Sequence, residues 1–142
     1  MDDREFYEMP LHDILARKLD GLMLEPDDPK RYNEIGIILS DLGERELASM
    51  YFHRGYQLVK DQPEQEARNS MVLLENYGSV LYLLGQFEEA LTVYQEALQI
   101  QPENEAIIEK LGILYYLLGN DTLSVQMYET LAGRIGDTLH HE

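Results

Sequence analysis

The chain has no cysteine and no tryptophan among its 142 residues, and only five prolines. Without cysteine there are no disulfides, no thiolate nucleophile and no cysteine-ligated zinc, a composition that suits a reducing compartment. Basic residues are scarce as well. Eleven Lys+Arg against 27 Asp+Glu leave a formal charge of −16 and a pI near 4.4. A polyphosphate would be repelled by this surface, which makes nucleic acid and anionic membranes poor partners. No uncharged apolar run approaches the length of a membrane span and the start is acidic, so the expected location is the cytoplasm. Hydrophobic residues nonetheless make up 44% of the chain, enough for a packed core, and 142 residues allow one compact domain or one short solenoid.

The glycines reveal internal repetition. They fall in pairs seven apart: Gly36/Gly43, Gly78/Gly85 and Gly112/Gly119. The second and third pairs are offset by 112 − 78 = 34 residues, and the first and second by 78 − 36 = 42, which is 34 plus an insertion of eight. Leucine precedes each second glycine (Leu42, Leu84, Leu118), and an aromatic follows nine residues later (Phe52, Tyr94, Tyr128). Before each turn, apolar residues recur at i, i+3, i+7 and i+10: Tyr32, Ile35, Leu39, Leu42; Leu74, Tyr77, Leu81, Leu84; Ile108, Leu111, Tyr115, Leu118. That spacing predicts a helix on each side of a tight glycine turn, three times over.

These residues resemble the tetratricopeptide repeat. In residues 71–104, Leu74, Tyr77-Gly78, Leu81, Gly85, Ala90, Tyr94, Ala97 and Pro102 fall on the family's spacing. The copy at 29–62 keeps Tyr32, Gly36, Gly43, Ala48 and Phe52; the copy at 105–138 has Ser124 and Leu131 where the family prefers alanine, and lacks the closing proline. The resemblance implies an all-α, right-handed superhelical solenoid of three helix-turn-helix units. The small residues would admit close helix pairs, while Phe52, Tyr94 and Tyr128 would fill the space between neighbouring pairs. Residues 1–28 are expected to form an acidic tail and a capping helix at about 10–24, with Pro10 in its first turn, leaving 29–142 as the repeat domain. Residues 63–70 are expected to extend the first helix of the second repeat backwards. With little chain left after residue 136, Leu123, Met127, Leu131 and Ile135 of the last helix form a candidate self-association face, and hence a possible homodimer.

No catalytic constellation is readable. His12, His53, His140 and His141 have no spacing to a nucleophile and carboxylate, the glycines lack the strand and Lys-Ser/Thr of a phosphate loop, and no metal or cofactor site is assigned. The carboxylate pairs Asp2-Asp3, Asp27-Asp28 and Glu88-Glu89 read as solvated surface. What the family resemblance implies is protein recognition, with the first helices lining a concave groove. The positions off the core stripe are Asn33, Ile37, Ser40 and Asp41, then Glu75, Ser79, Tyr82 and Leu83, then Glu109, Ile113, Tyr116 and Leu117. A variety of the family that grips a C-terminal carboxylate uses Lys, Arg and Asn there, which Glu75 and Glu109 do not offer. The expected partner is an apolar segment with basic flanks, bound by a non-catalytic adaptor or scaffold. The alternative is a dedicated chaperone, since small acidic proteins of three such repeats resemble those that hold type III secretion substrates.

Overall fold

A computed structural model describes residues 2–60 and 70–140, with side chains given for all but 5–7 and 135–140. The described residues form seven helices and no strand: α1 (Asp3–Leu24), α2 (Pro29–Asp41), α3 (Arg45–Lys60), α4 (Met71–Leu83), α5 (Phe87–Ile100), α6 (Glu105–Leu117) and α7 (Asp121–His140). The expected backward extension over 63–70 falls on residues outside the description, except Ser70, a turn residue whose carbonyl accepts from Leu74 N–H at 3.1 Å.

The three glycine turns are the same structure three times. Gly43, Gly85 and Gly119 have φ of +82°, +76° and +82°, a region nearly closed to residues with a Cβ. Each glycine N–H returns at 3.0 Å to the carbonyl three residues back (Ser40, Tyr82, Tyr116). The next N–H, from Glu44, Gln86 or Asn120, reaches five residues back to Leu39, Leu81 or Tyr115 at 2.8, 2.9 and 2.8 Å. This pair of bonds satisfies carbonyls that the end of a helix leaves orphaned. The residue after the glycine then opens the second helix, its own carbonyl accepting from Ala48, Ala90 or Ser124.

The chain divides into two compact units, Met1–Val80 and Leu81–Glu142, a division that runs through α4 rather than between repeats. In the first unit α2 and α3 pair closely because Gly36 has no side chain: a Cβ there would lie 2.6 Å from Cδ1 of Phe52. Phe52 therefore packs on the helical glycine of its own repeat. Gly112 and Tyr128 repeat the arrangement in the second unit, more loosely, at 3.1 Å. The core combines the expected stripe (Ile35, Leu39, Leu74, Tyr77, Leu81, Ile108, Leu111) with a second one, Ile38, Leu73, Val80, Ile107 and Leu114. First helices are thus buried on two sides. Of the three turn leucines, Leu42 is buried, Leu84 half-buried and Leu118 exposed.

Helix α1 docks on α2, with Leu11, Leu15, Leu19 and Leu22 half-buried and Ile14 and Met23 exposed. Lys18 Nζ meets Glu34 Oε2 at 2.8 Å, and the Tyr32 hydroxyl donates to the Pro26 carbonyl at 2.7 Å. Asp28 caps α2 by accepting from Lys30 N–H at 3.0 Å, with Pro29 as the first helical residue. The start of α1 differs from the expectation: it begins at Asp3, and Pro10 lies inside it. Proline costs the helix one hydrogen bond, but acidic Asp3 complements the positive helix end. The Arg4–Glu8 pair, at 2.7 Å with i,i+4 spacing, supports the same turn. The acidic tail is therefore helical.

Candidate protein-binding surface

The residues singled out from the sequence divide between the two units. In the first, Ile37, Asp41, Glu75 and Ser79 are exposed, while Asn33 and Ser40 are half-buried. Asn33 is already engaged: its Oδ1 accepts from Asn76 Nδ2 of α4 at 3.0 Å, a partly buried bond that ties the first helices of two successive repeats. Asn76 was not among the expected residues, since one polar residue beside a core stripe carries no signal of its own.

In the second unit, the end of α4 and the face of α6 supply Tyr82, Leu83, Glu109, Ile113, Tyr116 and Leu117. Tyr116 is 67% exposed, with Leu83, Leu117 and Glu109 also exposed. Ile113 is half-buried. Tyr82 is held rather than free, since its ring lies 5.7 Å from that of Phe87 and carries Lys110 Nζ at 5.9 Å from its centroid. Lys110 is thus a cation next to the expected acidic rim, worth about 0.5–1 kcal/mol over an exposed ring. Tyr82 and Tyr116, equivalent by sequence, are unequal in structure: the first is partly consumed by packing and the second is available.

The expected self-association residues Leu123, Met127 and Leu131 are half-buried, and the Ile135 side chain lies outside the description. The large apolar side chains of α7 that are exposed, among the described residues, are Val125 and Tyr128. Ser124, the departure from alanine, is buried, and its hydroxyl donates to the Gly112 carbonyl at 2.8 Å. Among the described residues, no group of three His, Asp or Glu side chains is placed to hold a metal ion. The ring of His53 is engaged with Tyr77. No helix among the described residues is long and apolar enough to cross a membrane.

The family model described as TPR repeat matches residues 78–119, from the inner glycine of the second repeat to the turn glycine of the third. The match takes in one glycine turn whole, and the same turn recurs at Gly43. It is 27% identical over 130 residues to the cell division cycle protein 16 homolog of Mus musculus, and 27% identical over 114 residues to that of Homo sapiens. These alignments cover 89% and 80% of this chain, but only 21% and 18% of the relatives, so the chain spans about a fifth of their length. Among solved structures, MamA superposes with a TM-score of 0.74 at 17% identity over 94% of this chain and 74% of its own. YrrB, described as a TPR protein with an unusual peptide-binding site, superposes with a TM-score of 0.64 at 17% identity over 82% of this chain and 56% of its own. At those identities the likeness establishes the all-α repeat fold.

Proposed function

We propose that this chain is a non-catalytic, cytoplasmic interaction module, an adaptor or scaffold. In this reading the exposed side of its first helices binds an apolar polypeptide segment flanked by basic residues. The observation that carries it is Tyr116: a large aromatic 67% exposed on α6, next in sequence to exposed Leu117, on a helix whose Leu111 and Leu114 are fully buried. Tyr116 lies largely outside the core, and aromatics are a residue type that dominates peptide interfaces. Glu109 and Glu75, both exposed, favour basic flanks by steering association. The peptide-binding site named for the fold neighbour YrrB supports the same class of ligand.

The test is a peptide array of apolar segments with basic, neutral or acidic flanks, followed by affinity measurements on the best binders. Tyr116→Ala is expected to weaken binding about tenfold or more with helicity unchanged. Glu75→Gln with Glu109→Gln should mainly slow association and flatten its salt dependence. Unaltered affinity in the Tyr116 variant would refute the reading. Binding of unfolded apolar chains regardless of flanking charge would replace the adaptor with a chaperone.

A further inference from the structure

The repeats provide an internal comparison of what the second helix of a pair shows to water. Counting from the turn glycines, α5 lies 42 residues after α3 and α7 another 34 after α5. Where α3 has Leu47, Met50 and Arg54, α5 has Glu89, Thr92 and Glu96, and α7 has Gln126 and Thr130 at the last two positions. The later copies are thus mainly polar there. The first is apolar, with Leu47 41% and Met50 67% exposed.

The spacing i, i+3, i+7 puts Leu47, Met50 and Arg54 on one side of α3, away from buried Ala48, Phe52 and Val59. Charge changes together with polarity. Arg45, Arg54 and Lys60 against Glu46 give α3 a net +2, and it is the one helix of the seven described in which cations outnumber carboxylates, in a chain of −16. Lys60 lies over the Tyr56 ring, 4.8 Å from its centroid, and His53 shares a hydrogen bond with Tyr77. Arg54 is different: it is exposed and makes no ion pair or hydrogen bond among the described residues. Glu46, in the first turn, leaves the opposite end of the face acidic, so the face has a polarity, with its cation at the Arg54 end.

We infer that this face of α3 docks an acidic polypeptide segment of another protein, whose apolar residues cover Leu47 and Met50 and whose carboxylate pairs with Arg54. Charge complementarity selects the occupant, and the flexible thioether of Met50 adapts to apolar side chains of different shape. At physiological salt the screening length is about 8 Å, so a docked segment responds to Arg54 more than to the chain's distant carboxylates. A second copy is a poorer occupant, because its acidic second helix, α5, offers Glu89 and Thr92 where an apolar residue is needed. The face is on a different helix from Tyr116 and prefers the opposite charge, so it stands independently of the proposed function. A chain with both surfaces holds two segments of opposite flanking charge.

The experiment measures the binding of acid-flanked and neutral-flanked apolar peptides to the full chain by fluorescence anisotropy. One variant gives α3 the residues of α5 (Leu47→Glu, Met50→Thr and Arg54→Glu), a second is Arg54→Glu alone, and a third is Tyr116→Ala. All four substitutions are at exposed positions, and circular dichroism would verify that the helices persist. Acid-flanked peptides should bind the parent about tenfold more tightly than neutral ones, a preference that Arg54→Glu abolishes and Tyr116→Ala leaves intact. The triple variant should lose the acid-flanked peptides altogether. Four results would overturn the inference: no acid-flanked peptide bound, a preference that survives Arg54→Glu, loss of these peptides in Tyr116→Ala with the triple variant unaffected, or sedimentation showing a dimer that Arg54→Glu dissociates. The third would place the acid-flanked peptides on the α6 surface, whereas the proposed function is judged on the basic-flanked peptides alone.

Discussion

Replacing Gly36 by alanine isolates what the close pairing of α2 and α3 requires. In an exposed helix the change would stabilise by about 1 kcal/mol, because glycine is the poorer helix former. Here the new Cβ would lie 2.6 Å from Phe52 Cδ1 and 2.7 Å from Cζ, where carbon atoms ordinarily sit at about 3.5–4 Å. The ring cannot retreat, since Phe52 is enclosed on its far side. The helices must therefore part, or the ring must leave its rotamer, at an overpacking cost of about 2–3 kcal/mol, the upper part of the usual range. The expected net loss is roughly 1–2 kcal/mol, or about 3–8 °C in Tm for a chain of this size. Two other glycines provide the controls. A Cβ on Gly112 would meet Tyr128 at 3.1 Å, but that ring has solvent to move into, so Gly112→Ala should be nearly neutral. A Cβ on Gly133 would meet nothing within 4 Å, so Gly133→Ala should stabilise by about 0.5–1 kcal/mol. Urea and thermal unfolding followed by circular dichroism would rank the three variants, and Phe52→Leu should recover part of the Gly36→Ala loss. If Gly36→Ala melts at or above the parent, the steric account of the pair is wrong.

Gly85→Val should cost about 1–3 kcal/mol through its backbone alone, since φ is +76° and no atom lies within 4 Å, whereas Ser79→Val on an exposed helix position should cost little; equal melting temperatures would contradict this. Asn104→Ala should lose about 1 kcal/mol in urea titration, because its Oδ1 caps α6 by accepting from Ile107 N–H at 3.1 Å. Ser124→Ala should change stability by less than about 1 kcal/mol, as alanine already occupies the equivalent positions 48 and 90; a larger loss would show that the bond to Gly112 carries more than a typical hydroxyl bond. Raising salt from low to physiological strength should raise Tm, since a net −16 repels itself; a fall would overturn that expectation.

The repeat and its turns were legible because they depend on spacing, and spacing survives in one dimension. A glycine seven residues after another, preceded by leucine, identifies a left-handed turn without any knowledge of neighbours. The start of α1 was not legible, because a proline rule is local and the decision to run on through Pro10 depends on residues upstream. The inequality of Tyr82 and Tyr116 was hidden for a different reason. It arises from Lys110 and Phe87, which reach Tyr82 from other helices, and no pattern within α4 records their approach. The packing of Phe52 on its own repeat's glycine was likewise a question of which of two nearby helices an aromatic meets. Periodicity assigns a buried side but not the neighbour across it.

The closure of every helix pair by the same main-chain bonds has a consequence for how such a chain can change length over time. With the glycine N–H and the next one both committed to fixed carbonyls, one residue gained or lost at Leu42-Gly43, Leu84-Gly85 or Leu118-Gly119 would break both bonds and rotate the second helix off its seat. Insertions and deletions should therefore be purged from the middle of a unit and tolerated at the joint between units. The eight extra residues that separate the first repeat from the second sit at such a joint.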